Sequence, residues 1–167
     1  VHRGPVVVIA GEGHAGIKKR LAGWAEHHGG CEGGLPLCVS TCAALLDSEP
    51  EVAAVKAAIG RAVETLGEPP SLIVVDTLAR CYSGEENSAD TFRAFYRLTG
   101  LRLKAAGIGY HRLDHSGKDV ERGQRGSSAK NDDVDVVQQL VVRDKGAVTL
   151  KATHRRMAWV HWTGSPG

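Results

Sequence analysis

The sequence lacks any apolar run of transmembrane length, and its first residues lack the pattern of a secretory signal peptide. We therefore expect a cytoplasmic protein with reduced thiols and no membrane partner. The sequence also lacks an excess of one charge, since it contains 21 Lys and Arg residues and 19 Asp and Glu residues. The whole chain is thus not marked as a nucleic-acid binder. Its length of 167 residues predicts one domain over 1–167 with a loose tail at 163–167.

The four cysteines lack the Cys-x-x-Cys spacing of a zinc knuckle. Cys31, Cys38 and Cys42 lie near two histidines in the sequence, so a zinc site is a minor alternative. Cys38 falls within an apolar run, which favours small buried or free thiols instead.

The most informative stretch is Ser-Leu-Ile-Val-Val-Asp-Thr-Leu at 71–78. Its apolar residues run without alternation, which predicts a strand buried on both faces, as in a parallel sheet covered by helices. The run ends at Asp76, and ligands of such sheets bind beyond the carboxyl ends of the strands. An aspartate there serves phosphoryl transfer by orienting hydrated Mg²⁺, although a simple turn cap is the alternative.

A second buried strand is predicted at 6–10, and Glu12 follows it in a Gly-Glu-Gly turn. Parallel strands place their carboxyl ends together, so we expect Glu12 and Asp76 at one edge of the sheet, close enough to share a ligand. A helix over 14–28 should follow this turn. Its apolar face would be Ile17, Leu21, Trp24 and His28.

Two further helices are marked by their ends. Ser48 and Glu51 form the pattern of a capping box, and Gly67 ends that helix. The next helix begins at residue 87 or 88, is predicted to be continuous, and ends at Gly107. Its predicted buried face is Phe92, Phe95, Tyr96, Thr99, Leu103 and Ala106.

Polar residues also follow a third predicted strand, at 108–113. Asp114 and His115 come directly after it, and His115 is able to bind or sense a phosphate that Lys118 would neutralise. A helix cap or a surface loop is the alternative. His111, Asp114 and His115 have the spacing of helical metal ligands, but the segment predicts strand and turn, which disfavours a metal site.

The segment 122–130 is small, basic and predicted to be flexible. Arg122, Arg125 and Lys130 could wrap phosphates or single-stranded DNA, with a solvated connection as the alternative. A β-hairpin is predicted from 134–142 and 147–153, and the cations of Arg155 and Arg156 follow it.

Four motifs occur in order along the chain: Val-Val-Asp-Thr-Leu-Ala-Arg, Glu-Glu-Asn, Asp-His-Ser-Gly-Lys-Asp and Arg-Gly-Ser-Ser-Ala-Lys. Together they resemble the RecA-like ATPases of the RepA type, helicase-like replication proteins of plasmids and phages related in core to DnaB and RecA. The resemblance covers residues 6–156. It implies an α/β RecA-like P-loop NTPase core, with a mostly parallel sheet flanked by helices and a C-terminal β-hairpin.

The resemblance also implies function. Such proteins hydrolyse ATP with Mg²⁺ and act on single-stranded DNA as homo-oligomers, commonly hexameric rings. Asp76 resembles the aspartate that holds magnesium through water, and Glu12 resembles the glutamate that polarises the attacking water. Asp114 and His115 resemble the pair that senses the γ-phosphate. The implied nucleotide-binding set is Asp114, Lys118, Arg125, Arg155 and Arg156, and the DNA-binding set is Arg122, Arg125 and Lys130.

One part of the family pattern is missing. The family carries a phosphate loop ending in Gly-Lys-Ser/Thr before the strand at 6–10, and these 167 residues contain no Gly-x-x-x-x-Gly-Lys-Ser/Thr segment. We therefore expect an N-terminally incomplete core without the phosphate-loop strand, which would have neighboured the strand at 108–113. As this chain, it should neither bind ATP tightly nor hydrolyse it. A non-catalytic module that binds DNA or a partner is the alternative.

Overall fold

The computed structural model describes residues 3–30, 34–116, 126–142 and 147–156. The predictions for Cys31, Lys118, Arg122, Arg125 and the tail at 163–167 concern residues outside these ranges. The elements in chain order are β1 (Val6–Ala10), α1 (His14–His27), β2 (Leu37–Val39), α2 (Glu49–Leu66), β3 (Leu72–Asp76), a 3-10 turn (Leu78–Arg80), α3 (Ala89–Leu98), α4 (Gly100–Ala105), β4 (Gly109–Arg112), α5 (Ala129–Asp132), β5 (Val136–Val142) and β6 (Val148–Arg155).

The first four strands form one parallel sheet in the order β2-β1-β3-β4. Parallel neighbours require crossover connections, which the helices between the strands supply. The α/β class and the parallel sheet predicted from the sequence are therefore confirmed. In the described part of the chain β4 is an edge strand of this sheet.

One face of the sheet carries the hydrophobic core. Ile73 and Val75 of β3 are buried together with the neighbouring β1 side chains of Val7 and Ile9. Helices α2 and α3 cover this face, since their apolar residues belong to the same cluster. The helical members are Val52, Val55, Ile59, Phe92, Phe95 and Leu98.

The opposite face is only half covered, which corrects the prediction that β3 is buried on both faces. Leu72 and Val74 alternate with the buried residues of β3 and are half-exposed. Helix α1 has no buried residue, and its Trp24 is 47% exposed and stacks against His28 with ring centroids 4.5 Å apart. The predicted face of α1 is therefore only half-buried at Ile17 and Leu21.

The predicted continuous helix after residue 88 is wrong, because it breaks at Thr99 into α3 and α4. The Thr99 hydroxyl donates to the Phe95 carbonyl oxygen at 2.6 Å, a local bond that competes with regular helix geometry. Gly100 then packs under Tyr96, where a Cβ would lie 2.7 Å from the ring. Thr99 is buried as predicted, whereas Ala106 is exposed.

The capping box at α2 is also wrong in detail. Ser48 is the N-cap residue, but its side chain makes no capping hydrogen bond. Glu49 of the first turn instead accepts a 2.8 Å bond from Arg102 on α4. Among the described residues, no helix combines the length and apolar character needed to cross a membrane.

The predicted C-terminal hairpin is confirmed as β5 and β6, which pair antiparallel with a bulge at Val137. Its outer face is apolar and exposed, with Leu140 at 65% and Val142 at 68% exposure. The hairpin is tied to the domain by polar contacts at its base. Lys104 of α4 lies 3.4 Å from Asp135, and the Arg156 guanidinium donates to the Asp132 carbonyl oxygen in α5.

Candidate functional site

A cleft of about 330 Å³ opens at the carboxyl edge of the parallel sheet. Loops that follow β1, β3 and β4 build its walls, so it lies where ligands of open α/β sheets bind. It is lined by Glu12, Thr77, Ala79, Arg80, Tyr82, Glu86, Asp114 and His115.

Glu12 reaches this edge because β1 and β3 run parallel in register, with Ala10 opposite Asp76. The Gly11 amide donates to the Asp76 carbonyl oxygen at 2.5 Å, which extends the pairing past the strand ends. A Cβ on Gly11 would lie 2.6 Å from Arg80 Cβ. Glycine is thus required here for the 3-10 turn to fold back over the end of β1.

The Glu12 carboxylate lies between the Arg80 guanidinium and the His115 imidazole. Its Oε2 is 3.7 Å from Arg80 Nε, and its Oε1 is 3.7 Å from His115 Nε2. All three side chains are substantially exposed, so these contacts contribute little to stability. They place the Glu12 carboxylate beside both groups at the cleft.

Asp114 and His115 are placed by the end of β4. The Leu113 amide donates to the Val75 carbonyl oxygen at 2.9 Å, and the Leu78 amide donates to the Leu113 carbonyl oxygen at 2.8 Å. These bonds bring the residues after β4 against the 3-10 turn. The structure therefore places Asp114 and His115 at the same sheet edge as Glu12 and Asp76.

Lys130 does not lie on the exposed, flexible loop that the sequence predicted, because it belongs to α5 and its side chain is 0% exposed. Its Nζ is 2.6 Å from Asp114 Oδ2 and 3.6 Å from Glu86 Oε1. A fully buried ammonium is not accessible to a DNA phosphate. The DNA-contacting role expected for Lys130 is therefore corrected to a role inside the cleft wall.

Asp76 ends β3 and is half-buried, at the same sheet edge as Glu12 but not in the cleft lining. The next residue, Thr77, does line the cleft, and its side-chain oxygen is buried without a hydrogen-bond partner among the described residues. Beneath it, burial raises the pKa of the Cys81 thiol, and the nearby Asp76 charge adds to that rise. Cys81 therefore stays a neutral thiol under the site.

The cleft fits one part of a magnesium–nucleotide site. Glu12, Glu86 and Asp114 supply carboxylate oxygens, which suit a hydrated Mg²⁺ ion. Among the described residues, no three His, Cys, Asp or Glu side chains lie close enough together to bind a metal directly. The exposed Arg80 guanidinium is a donor suited to a phosphate oxygen, whereas the Thr77 hydroxyl is buried. The family's phosphate-loop pattern is absent from the sequence.

The structure does not bring Arg155 and Arg156 to this cleft. Arg155 is exposed at the end of β6, opposite Val136. Arg156 donates to the Asp132 carbonyl oxygen and lies 3.8 Å from Asp135 Oδ1. Their predicted action on a neighbouring subunit stays a prediction.

Sequence reasoning missed Arg80, Thr77 and Glu86 as site residues. The signal for Arg80 was its position four residues after Asp76, which a tight turn brings back over the end of the strand. Glu86 stands out in the sequence only as part of the Glu-Glu-Asn motif. Its place depends on Ser127, whose amide donates to the Glu86 carbonyl oxygen at 3.0 Å.

The AAA domain family matches residues 1–121, which is more than half of the 167 residues. The chain therefore belongs to this family of P-loop ATPase-type domains. The match covers the parallel sheet, Glu12, Asp76, Asp114 and His115, and it ends before α5 and the hairpin. The fold agrees with a RecA-like core. No curated protein matches the chain.

Proposed function

We propose that this domain supplies the water-orienting and metal-holding part of an ATP-hydrolysing site in a DNA motor of phage or plasmid replication. Membership of the AAA domain family supports nucleotide-dependent ATPase chemistry. The observation that carries the assignment is the position of Glu12 at the carboxyl edge of the sheet, where its carboxylate lies 3.7 Å from Arg80 Nε and 3.7 Å from His115 Nε2.

In this proposal Glu12 accepts a hydrogen bond from the attacking water and so directs it at the γ-phosphate. Arg80 lines the same cleft and would donate to phosphate oxygens. Asp76 would hold Mg²⁺ through water, and the metal supplies neutralisation of phosphate charge when it is bound. Asp114 would hold the His115 backbone in place, so that the imidazole senses the presence of the phosphate.

The test uses the product of the complete open reading frame that contains these residues. Glu12→Gln keeps the size of the side chain but removes its charge, and we expect kcat for ATP hydrolysis to fall by at least about 100-fold. The KM for ATP should change by less than about 3-fold, since the group acts on the water. The matched control is Glu26→Gln on the exposed side of α1, which should hydrolyse ATP at the wild-type rate. Unchanged hydrolysis in Glu12→Gln would refute the assignment.

We further propose that the motor works as a homo-oligomeric ring, hexameric as in the proteins it resembles, on single-stranded DNA. Lys118, Arg122 and Arg125 would then face nucleotide or DNA, and Arg155 or Arg156 would reach the neighbouring subunit's nucleotide. Arg155 is exposed at the C-terminal end of β6, which supports an intermolecular role. An arginine acting in trans raises the hydrolysis rate by about 10³-fold or more.

Mixed rings test the trans arrangement. Subunits with Arg155→Ala and Arg156→Ala are combined with subunits carrying Asp76→Ala, each inactive alone. Rings that contain both should regain ATPase activity at interfaces that join an intact Asp76 to an intact arginine. Stable mixed rings without recovered activity would assign these arginines to structure or DNA binding instead.

The second candidate is a non-catalytic DNA- or partner-binding module. It is favoured by the absence of a Gly-x-x-x-x-Gly-Lys-Ser/Thr segment from the 167 residues. Two measurements on the product of the complete open reading frame distinguish the candidates. An ATPase turns over ATP. A binding module shows DNA or partner binding that Glu12→Gln leaves unchanged.

A further inference from the structure

We propose that Lys130 is a positioning residue of the cleft, a buried counter-ion that holds Asp114 so that the His115 backbone stays fixed beside Glu12. The inference rests on the proposed ATP site and goes beyond it, because Lys130 lies past the segment that matches the family. No exposed surface of Lys130 remains for a ligand, so its charge acts only through its neighbours.

The surroundings of Lys130 are those of a built ion-pair site. Its ammonium lies 2.6 Å from Asp114 Oδ2 and 3.6 Å from Glu86 Oε1, and both carboxylates line the cleft. The Phe92 ring centroid is 4.9 Å from Nζ, which gives a cation–π contact from the core side. The ammonium thus separates the apolar core from two cleft carboxylates.

Asp114 connects this ion pair to the site. Its Oδ2 binds Lys130, while its Oδ1 accepts a 3.0 Å hydrogen bond from the His115 amide. The His115 imidazole in turn lies 3.7 Å from Glu12 Oε1. One continuous polar chain therefore runs from the buried ammonium to the carboxylate that we assign to the water.

Loss of the ammonium would leave the Asp114 carboxylate charged at only 11% side-chain exposure. An unpaired charge at such a site is strongly unfavourable, so the carboxylate would turn out towards water. That turn would break its bond to the His115 amide.

Segment 126–130 is shaped to deliver Lys130 to this place. A Cβ on Gly126, which has φ +92°, would lie 2.7 Å from the Glu86 carbonyl oxygen and 3.2 Å from Lys130 Nζ. The Arg112 guanidinium donates to the Lys130 carbonyl oxygen, which ties α5 to the end of β4. Lys130 is therefore held both through its side-chain ammonium and through its backbone carbonyl.

The test that needs no ATP is amide hydrogen exchange on the 167-residue chain. Lys130→Met keeps an unbranched apolar stem without charge, and we expect exchange at the His115 amide to rise by about 10-fold or more. Exchange at the core amides of Val75 and Leu78 should stay within about 2-fold of wild type. A purely structural role would instead raise all of these rates together.

A double variant and a control sharpen this result. Lys130→Met combined with Asp114→Asn removes both charges but leaves an oxygen to accept the His115 bond, so exchange at His115 should return towards wild type. Lys104→Met removes a lysine that is paired with Asp135 outside the cleft. It should change the exchange rate neither at the His115 amide nor at the core amides. Unchanged His115 exchange in Lys130→Met, or no recovery in the double variant, would overturn the proposal. So would failure of the double variant to fold, since Lys130 would then belong to the core alone.

A kinetic arm uses the product of the complete open reading frame. Lys130→Met should lower kcat by about 10-fold with KM for ATP within about 3-fold, because the site geometry is loosened while the phosphate donors remain. A kcat equal to wild type would contradict the proposal. A wild-type product without ATPase activity would refute the proposed function, whereas the exchange experiment would still decide the role of Lys130.

Discussion

Glu12 and His115 face each other across the end of β3, with Glu12 Oε1 3.7 Å from His115 Nε2. The two residues follow β1 and β4, which are not neighbours in the sheet but both flank β3. Parallel pairing of all three strands therefore brings their following loops into one cleft. The same pairing places Asp76, at the end of β3, at this edge.

Replacement of Gly11 by alanine should destabilise the domain and displace the 3-10 turn. The added Cβ would lie 2.6 Å from Arg80 Cβ, and overpacking of this kind costs roughly 1–3 kcal/mol. Denaturant unfolding measures the change. Gly16→Ala on α1 is the matched control, because nothing lies within 4 Å of its Cβ and alanine favours helix by about 0.5–1 kcal/mol. Equal effects of the two substitutions would contradict the close contact.

Asp47→Ala should destabilise the domain by about 1–3 kcal/mol, because the donors at Ser83 and Gly84 lose a charged hydrogen-bond acceptor. Asp47 Oδ2 accepts bonds from the Ser83 amide at 2.9 Å, the Ser83 hydroxyl at 3.0 Å and the Gly84 amide at 3.3 Å. This carboxylate thus holds the loop that leads to Glu86. Thermal unfolding measures the loss, and the exposed Glu64→Ala in α2 should stay within about 0.5 kcal/mol of wild type.

Tyr110→Phe should remove part of the stability loss at alkaline pH. Burial raises the pKa of the Tyr110 hydroxyl above its usual value of 10.0. As the pH rises through about 10, the unfolded chain releases this proton while the folded chain retains it, so folding becomes less favourable. Phenylalanine has no proton to release. Urea unfolding at pH 8 and pH 10.5 measures the slope; an equal decline in both proteins would contradict the prediction.

The 167-residue chain should bind Mg²⁺–ATP more weakly than the low micromolar range. Glu12, Glu86 and Asp114 line the cleft, and a nucleotide adds further negative charge. Arg80 and a buried Lys130 offset only part of it, and the sequence has no phosphate-loop pattern to supply a cradle of backbone amides. Isothermal calorimetry measures the affinity. A Kd near 1 μM, which corresponds to about −8 kcal/mol, would mean that another segment of the chain binds the phosphates.

The sequence by itself determined the parallel sheet and the position of its polar edge. Apolar runs and the glycines that follow them are local signals, so the strands that end at Ala10 and Asp76 and the helix that ends before Gly67 were all predicted close to their observed bounds. The placement of Glu12 with Asp114 and His115 then follows, because parallel strands present their carboxyl ends together.

Only the tertiary structure decided which charges meet. Lys130 belongs to a basic, glycine-containing segment, and its local sequence predicts exposure. It is buried because Asp114, Glu86 and Phe92, all distant in sequence, provide its partners. Arg80 faces Glu12 for a similar reason, since the fold brings the turn after β3 over the end of β1. The periodicity of apolar residues is a local property that can be read from the sequence. An ion pair instead depends on the distance between two segments, and only the folded chain brings those segments together.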